Sequence, residues 1–147
     1  MSSDQRQIAN LLHRYCELVD TAQFETLGQL MVQCTLLDAE ENLIARGKEI
    51  GQFYQKIIRV NPDSEIPNTL HVAHGLKIKR SEQDAVCDAK FFVLQKISSG
   101  DVSVIISGNY HSEFKLSEGK YQFSKHQITP TFMGDLSEHL YSANLSL

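Results

Sequence analysis

Residues 102–116, VSVIISGNYHSEFKL, combine β-prone apolar side chains with small polar ones at a regular spacing. Side chains on a strand alternate between the two faces of the sheet, so Ser107 and Asn109 share one face and Tyr110 favours the other. A hydroxyl and an amide on neighbouring positions of one face can hold a carbonyl or a water molecule without adding charge. The row indicates one wall of a pocket, although an ordinary strand with one solvated face shows the same alternation.

Asp20 is a candidate proton-transfer group. It follows Ile8 by twelve positions on a predicted helix, and at about 100° per residue it falls near the edge of the apolar stripe. From there its carboxylate could reach the interior of the fold. Gln23 follows three positions later, so Asp20 could equally begin a capping box for a second helix.

The histidines and cysteines do not have the spacing of a metal site. His71 and His74 are three residues apart on a predicted strand and would point to opposite faces. The three cysteines, Cys16, Cys34 and Cys87, are odd in number and widely spaced among apolar neighbours. This pattern predicts buried free thiols rather than disulfides or metal ligands.

Charge and hydropathy exclude two classes of partner. The chain has a net charge of −4, and its 14 basic residues are scattered rather than clustered, so we expect no nucleic-acid surface. The N-terminus lacks a signal-peptide core, and no apolar run approaches the ~20 residues that span a bilayer. We therefore expect a cytoplasmic protein that does not contact membranes.

The elements that must position these residues follow a simple order. Apolar spacing of three and four predicts helices near 3–19, 23–31 and 47–59, with a small hairpin at 35–38 and 43–46 before the third. Period-two patterns separated by polar turns then predict strands at 71–80, 85–97, 102–116 and 120–132. Strands of this length must twist and coil. We expect one α+β domain over residues 1–147, in which a strongly curved, mostly antiparallel sheet forms a cone around three N-terminal helices.

Several short motifs accompany this order: Arg14-Tyr15, Val19-Asp20, Arg46-Gly47, Leu70-His71, Ser107-Gly108-Asn109-Tyr110-His111 and Gly134-Asp135-Leu136-Ser137. Together with the element order they resemble the nuclear-transport-factor-like superfamily, with its cystatin-like roll. Within it, the chain is most similar to the SnoaL-like polyketide cyclases and scytalone dehydratase. The resemblance covers nearly the whole chain.

The resemblance implies roles for four residues. In these families an aspartate at the position of Asp20 pairs with a histidine at the start of the sheet, where this chain has His71. The carboxylate would hold one imidazole tautomer and leave the other nitrogen free to remove or deliver a proton. Ser107 and Asn109 match the residues that bind substrate oxygen in scytalone dehydratase. The alternative for His71 is an exposed residue at the end of a strand.

The chain also departs from the dehydratase pattern. Val19 and Ala39 stand where its two tyrosines would fall, and the strand 91–94 is apolar where its second histidine would lie. Scytalone is therefore not the expected substrate. Separately, we expect His139 in the tail to be solvated. Tyr54 and Phe91 belong to an aromatic set that could line a pocket for a planar hydrophobic ligand.

Two functional classes follow. The first is a small, cofactor-independent lyase or isomerase of dehydratase, isomerase or cyclase type. Asp20 and His71 would transfer protons, while Ser107 and Asn109 would hold a hydrophobic carbonyl compound. The second is a noncatalytic ligand-binding or dimeric assembly module on the same fold. For both classes the spacing of the histidines and cysteines predicts no metal site, and the resemblance implies a homodimer that forms through the outer face of the sheet.

Overall fold

The computed structural model describes residues 1–141, and its helices and strands follow the predicted order, with boundaries within two residues of those predicted. The helices are α1 (Ser3–Asp20), α2 (Phe24–Leu30) and α3 (Glu49–Ile57). The strands are β1 (Thr35–Leu37), β2 (Leu43–Arg46), β3 (Thr69–Arg80), β4 (Asp84–Lys96), β5 (Val102–Ser117) and β6 (Lys120–Met133). The predicted α+β fold is confirmed.

Helix α1 is defined by local signals at both ends. At its start, Ser2 and Gln5 form a reciprocal capping box that satisfies two free N–H groups. Its apolar stripe, which includes the fully buried Leu12 and Tyr15, packs on the sheet. The helix ends at Asp20 and so carries that side chain to the edge of the sheet.

The sheet has the strand order β2-β1-β6-β5-β4-β3. Every neighbouring pair is antiparallel except β1 with β6, which is parallel. The sheet is curved, and its inner face covers α1, whose Tyr15 ring lies 5.9 Å from the Tyr110 ring of β5. At the bulge after Ser107, Gly108 lets β6 approach closely, because a Cβ there would lie 2.2 Å from the Thr129 carbonyl oxygen.

Residues 134–141, which we call the C-terminal strap, follow β6 and run to the end of α3. Main-chain hydrogen bonds join it to the end of α3: the Arg59 N–H donates to the His139 carbonyl at 2.7 Å, and the Tyr141 N–H donates to the Ile57 carbonyl at 2.9 Å. The Gln95 amide of β4 donates to the Glu138 carbonyl at 3.0 Å. The strap is therefore fixed both to the end of α3 and to β4.

The predicted free thiols are confirmed, since Cys16, Cys34 and Cys87 are all buried and unpaired. Burial raises the pKa of both the Cys16 and the Cys34 thiols to about 12. Among the helices of residues 1–141, none is both long enough and apolar enough to cross a membrane.

Candidate functional site

Asp20 and His71 are in direct contact. Oδ1 of Asp20 lies 2.6 Å from Nδ1 of His71 and also accepts a hydrogen bond from the Thr69 hydroxyl at 2.9 Å. Oδ2 accepts the main-chain N–H of His71 at 2.8 Å. The end of α1 is thus fixed to the start of β3 by three hydrogen bonds to one carboxylate. Asp20 does not cap α2, whose N-cap is Gln23 without a side-chain cap.

The contact determines which imidazole nitrogen is available. The side chains of His71 and Asp20 are only 10% and 12% exposed, and His71 lines an internal cavity. Because the carboxylate is an acceptor, it favours the tautomer with the proton on Nδ1. Nε2 of His71 is then the nitrogen left for a ligand. The alternative of an exposed residue at the end of a strand is wrong.

The cavity between α1, α3, the sheet and the strap has a volume of about 40 Å³. Its polar groups are three tyrosines and two histidines: Tyr15, Tyr54, Tyr110, His71 and His139. The rest of the lining is apolar and includes the predicted Phe91, which stacks on Tyr110 with ring centroids 4.2 Å apart. Of the aromatic residues predicted to bind a ligand, both Tyr54 and Phe91 lie at the cavity.

The tyrosine hydroxyls are neutral hydrogen-bonding groups. The hydroxyls of Tyr15 and Tyr54 bond to each other although the residues are far apart in sequence. Burial, followed by the neighbouring Tyr54 hydroxyl, raises the pKa of Tyr15 well above its usual value. Burial likewise raises the pKa values of Tyr54 and Tyr110. One hydroxyl of the Tyr15–Tyr54 pair donates to the other, which leaves the second O–H to donate to a ligand oxygen without becoming a phenolate.

The expectation that Ser107 and Asn109 face the cavity is wrong. The two residues do share a face of β5, but it is the outer face, where Asn109 is exposed and pairs with Lys90 of β4. Neither residue lines the cavity. The inner positions of this strand belong to Ile106 and Tyr110, because Tyr110 packs on the Tyr15 ring of α1.

His111 continues the outer row and takes no part in the cavity. Its Nδ1 lies 2.7 Å from Asp88 and its Nε2 lies 3.0 Å from Glu113. Partial burial lowers the pKa of His111, but the two carboxylates outweigh that effect and raise it overall. His111 is therefore part of a surface ion cluster.

The sequence analysis missed His139. It was expected to be solvated, but it is 6% exposed and lines the cavity with its ring centroid 6.0 Å from that of His71. Burial and the neighbouring His71 lower the pKa of His139 to about 4. The strap therefore brings a second, neutral imidazole to the site, and no local sequence signal indicated it.

A family model and several solved structures are similar to this chain. Residues 1–127 match the model of a family described as a SnoaL-like domain. No curated protein matches the sequence significantly.

Solved structures with the same fold are distant in sequence. An NTF2-like protein with a cystatin-like fold from Novosphingobium aromaticivorans is 14% identical with a TM-score of 0.72, covering 87% of this chain and 82% of its own. A proposed scytalone dehydratase from the same organism is 17% identical with a TM-score of 0.70, covering 97% and 91%. The association domain of CaMKII from C. elegans is 15% identical with a TM-score of 0.69, covering 86% and 95%. At these identities the likeness concerns the fold alone.

Proposed function

Because the chain belongs to the SnoaL-like domain family, we propose that it is a small acid–base enzyme of lyase or isomerase type acting on a hydrophobic carbonyl compound. The observation that carries the proposal is the Asp20–His71 contact of 2.6 Å at the edge of an aromatic cavity. This contact supports the proposal because the carboxylate holds one imidazole nitrogen and leaves the other for a ligand.

His71 acts as the base in this proposal. Its Nε2 takes a proton from the carbon next to the carbonyl, and the electron pair of that C–H bond moves to the carbonyl oxygen to form an enolate. The imidazolium that results is stabilised by the Asp20 carboxylate, which lies against Nδ1. Return of the proton from Nε2 to the far carbon of a conjugated enolate completes an isomerisation. Where the neighbouring carbon carries a hydroxyl, the enolate electrons form a C=C bond as the C–O bond breaks, and the hydroxyl takes the proton from Nε2 and leaves as water, which completes an elimination.

The tyrosines supply the second requirement, a site for the developing negative charge. Tyr15 and Tyr54 are buried, neutral and face the cavity with His71. Neutral donors fixed in a site of low polarity stabilise an enolate oxygen more strongly than water does. In this proposal they take the place that Ser107 and Asn109 were expected to occupy.

Hydrogen–deuterium exchange tests the proposal. Cyclohexanone and 1-tetralone, two hydrophobic ketones, are incubated with the protein in D₂O, and loss of the α-proton signal is followed by NMR. Since general-base catalysis contributes about 10²- to 10⁴-fold, His71→Ala should lower the enzymatic exchange rate at least 100-fold. Asp20→Asn should lower it as well. His74→Ala is the matched control, because His74 lies on the same strand but its neighbours are Lys90 and the Phe92 ring of the outer face.

The proposal fails if His71→Ala exchanges protons as fast as the unchanged protein. A second candidate, a noncatalytic binding or assembly module, is favoured by the small cavity volume of about 40 Å³, since ligand pockets are usually roughly 300–1,000 Å³. Such a module would show no exchange of the ketone α-protons in any variant, whether or not it binds the ketones.

For either function we propose a homodimer formed through the outer face of the sheet. Leu70, Val104 and Phe132 are 53%, 44% and 54% exposed there, in neighbouring rows of β3, β5 and β6. Exposed apolar residues that cluster in this way commonly mark protein interfaces. Phe132→Asp should convert a dimer to a monomer in light scattering, and a monomeric unchanged protein would contradict the proposal.

A further inference from the structure

His139 lines the cavity and has one ring nitrogen without a hydrogen-bond partner. Within residues 1–141, its Nδ1 is buried and meets no hydrogen-bond partner. Leaving a buried polar atom unpaired costs about 1–3 kcal/mol, and such atoms in folded proteins normally have a protein or water partner. The Asp20–His71 chemistry of the proposed function does not use this nitrogen.

The strap fixes this imidazole rigidly. The carbonyl of His139 accepts the Arg59 N–H, and its own N–H donates to the Leu136 carbonyl at 2.9 Å. Leu136 and Leu140, on either side, both line the cavity. The ring is therefore held beside His71 by main-chain bonds and apolar packing, so a ligand that contacts one imidazole lies within reach of the other.

The chemistry of the free nitrogen identifies its partner. With its pKa lowered to about 4, His139 is a neutral imidazole at neutral pH, and one of its two nitrogens carries the proton. A hydroxyl group can donate to a bare Nδ1 and can accept from a protonated one, whereas a carbonyl can only accept. A hydroxyl is thus the group that pairs with either tautomer.

We propose that His139 is a ligand-contacting residue that hydrogen-bonds a hydroxyl of the substrate. Resting on the proposed function, this makes the substrate class a hydroxylated carbonyl compound, with its carbonyl at the tyrosine hydroxyls and its hydroxyl at His139.

Phenol and toluene test the inference, because they differ only by a hydroxyl in place of a methyl. Their dissociation constants are measured by NMR titration, and the ratio for toluene over phenol reports the hydroxyl preference. One hydrogen bond contributes about 0.5–1.5 kcal/mol, so His139→Leu should lower the ratio about two- to tenfold. His139→Asn should retain the preference, since its amide lies near the position of Nδ1. His74→Leu is the control on the outer face.

A second measurement needs no variant. In ¹⁵N-labelled protein, phenol should shift the His139 Nδ1 resonance and toluene should leave it nearly unchanged. The inference is overturned if phenol does not bind, if the ratio is the same in His139→Leu, or if the resonance does not move.

The two proposals fail separately. If ketone exchange depends on His71 but the toluene-to-phenol ratio does not depend on His139, the proposed enzyme activity is supported and the proposed hydroxyl contact is contradicted. If the ratio depends on His139 while exchange is independent of His71, the cavity recognises hydroxylated ligands without Asp–His chemistry.

Discussion

His126 should make the folded state sensitive to acid. Its side chain is completely buried, and its Nδ1 lies 2.8 Å from the Ser112 hydroxyl. Its ring packs 4.6 Å from that of Tyr15 and 4.8 Å from that of Tyr110. Burial, followed by the charge of His111, lowers the pKa of His126 to about 3. The folded protein therefore resists protonation at a site that the unfolded chain protonates near pH 6.5.

The sign and size of the effect follow from this difference. Stability rises with pH wherever the unfolded state binds more protons, so the contribution of neutral His126 is complete above pH 6.5 and is lost as the pH drops toward 3. Each pH unit in that window is worth ~1.4 kcal/mol. Between pH 7.5 and 4.5, His126 alone should lower the free energy of unfolding by about 3 kcal/mol.

Urea denaturation at pH 7.5 and 4.5 measures the loss. The double variant Ser112→Ala/His126→Phe removes the titrating group and its partner together, so no buried hydroxyl loses its bond. The drop in unfolding free energy between the two pH values should be about 3 kcal/mol smaller than in the unchanged protein. His13→Phe, at an exposed position of α1, should leave the drop unchanged. An equal drop in the double variant, or an NMR titration that protonates His126 above pH 5 in the folded state, would refute the reasoning.

Three further predictions concern particular contacts. Asp20→Ala leaves the Thr69 hydroxyl and the His71 N–H without their acceptor. Urea denaturation should therefore show a free energy of unfolding lower by about 3 kcal/mol, and a decrease below about 0.5 kcal/mol would contradict these hydrogen bonds. Gly51→Ala places a Cβ 2.1 Å from the Phe24 carbonyl oxygen and should cost about 3 kcal/mol, whereas Gly134→Ala, with 3.5 Å of clearance, should be nearly neutral. All three cysteines are buried, so a thiol reagent should modify them only after denaturation; fast native labelling would be inconsistent with their burial.

The helices and strands were predictable because their signals are local. The capping box at Ser2 and Gln5 and the apolar stripe of α1 lie within one segment. The ends of the long strands are local as well, because short polar turns separate one strand from the next. The alternation of β5 was also correct, with Ser107 and Asn109 on one face and Tyr110 on the other. Period two separates the faces of a strand but does not say which face is inward.

The inner face of β5 is decided by residues far away in sequence. Tyr110 turns inward because Tyr15 of α1 and Phe91 of β4 provide an aromatic surface for it. The outer face carries Ser107 and Asn109 together with the ion cluster of His111. Both faces mix polar and apolar residues, so polarity alone could not choose between them.

His139 could not be found from sequence for a related reason. Its segment has neither helical nor strand periodicity, and its position depends on main-chain hydrogen bonds to Ile57 and Arg59 at the end of α3. Main-chain hydrogen bonds do not depend on which side chains a segment carries, so the residue types could not indicate them. The Asp20–His71 contact spans 51 positions, and it could be anticipated only from the resemblance to a family.

The groups around His71 are arranged to stabilise the imidazolium that the proposed proton transfer would form. The Asp20 carboxylate is stabilised by three donors, two of which come from His71 itself. A proton arriving on Nε2 would create an imidazolium in contact with that carboxylate, a pair held in place before the reaction begins. His139 and the three tyrosines are neutral, so they do not repel the new charge. In the proposed reaction, a proton moved from ligand carbon to His71 would therefore form an ion pair whose two members are already in contact.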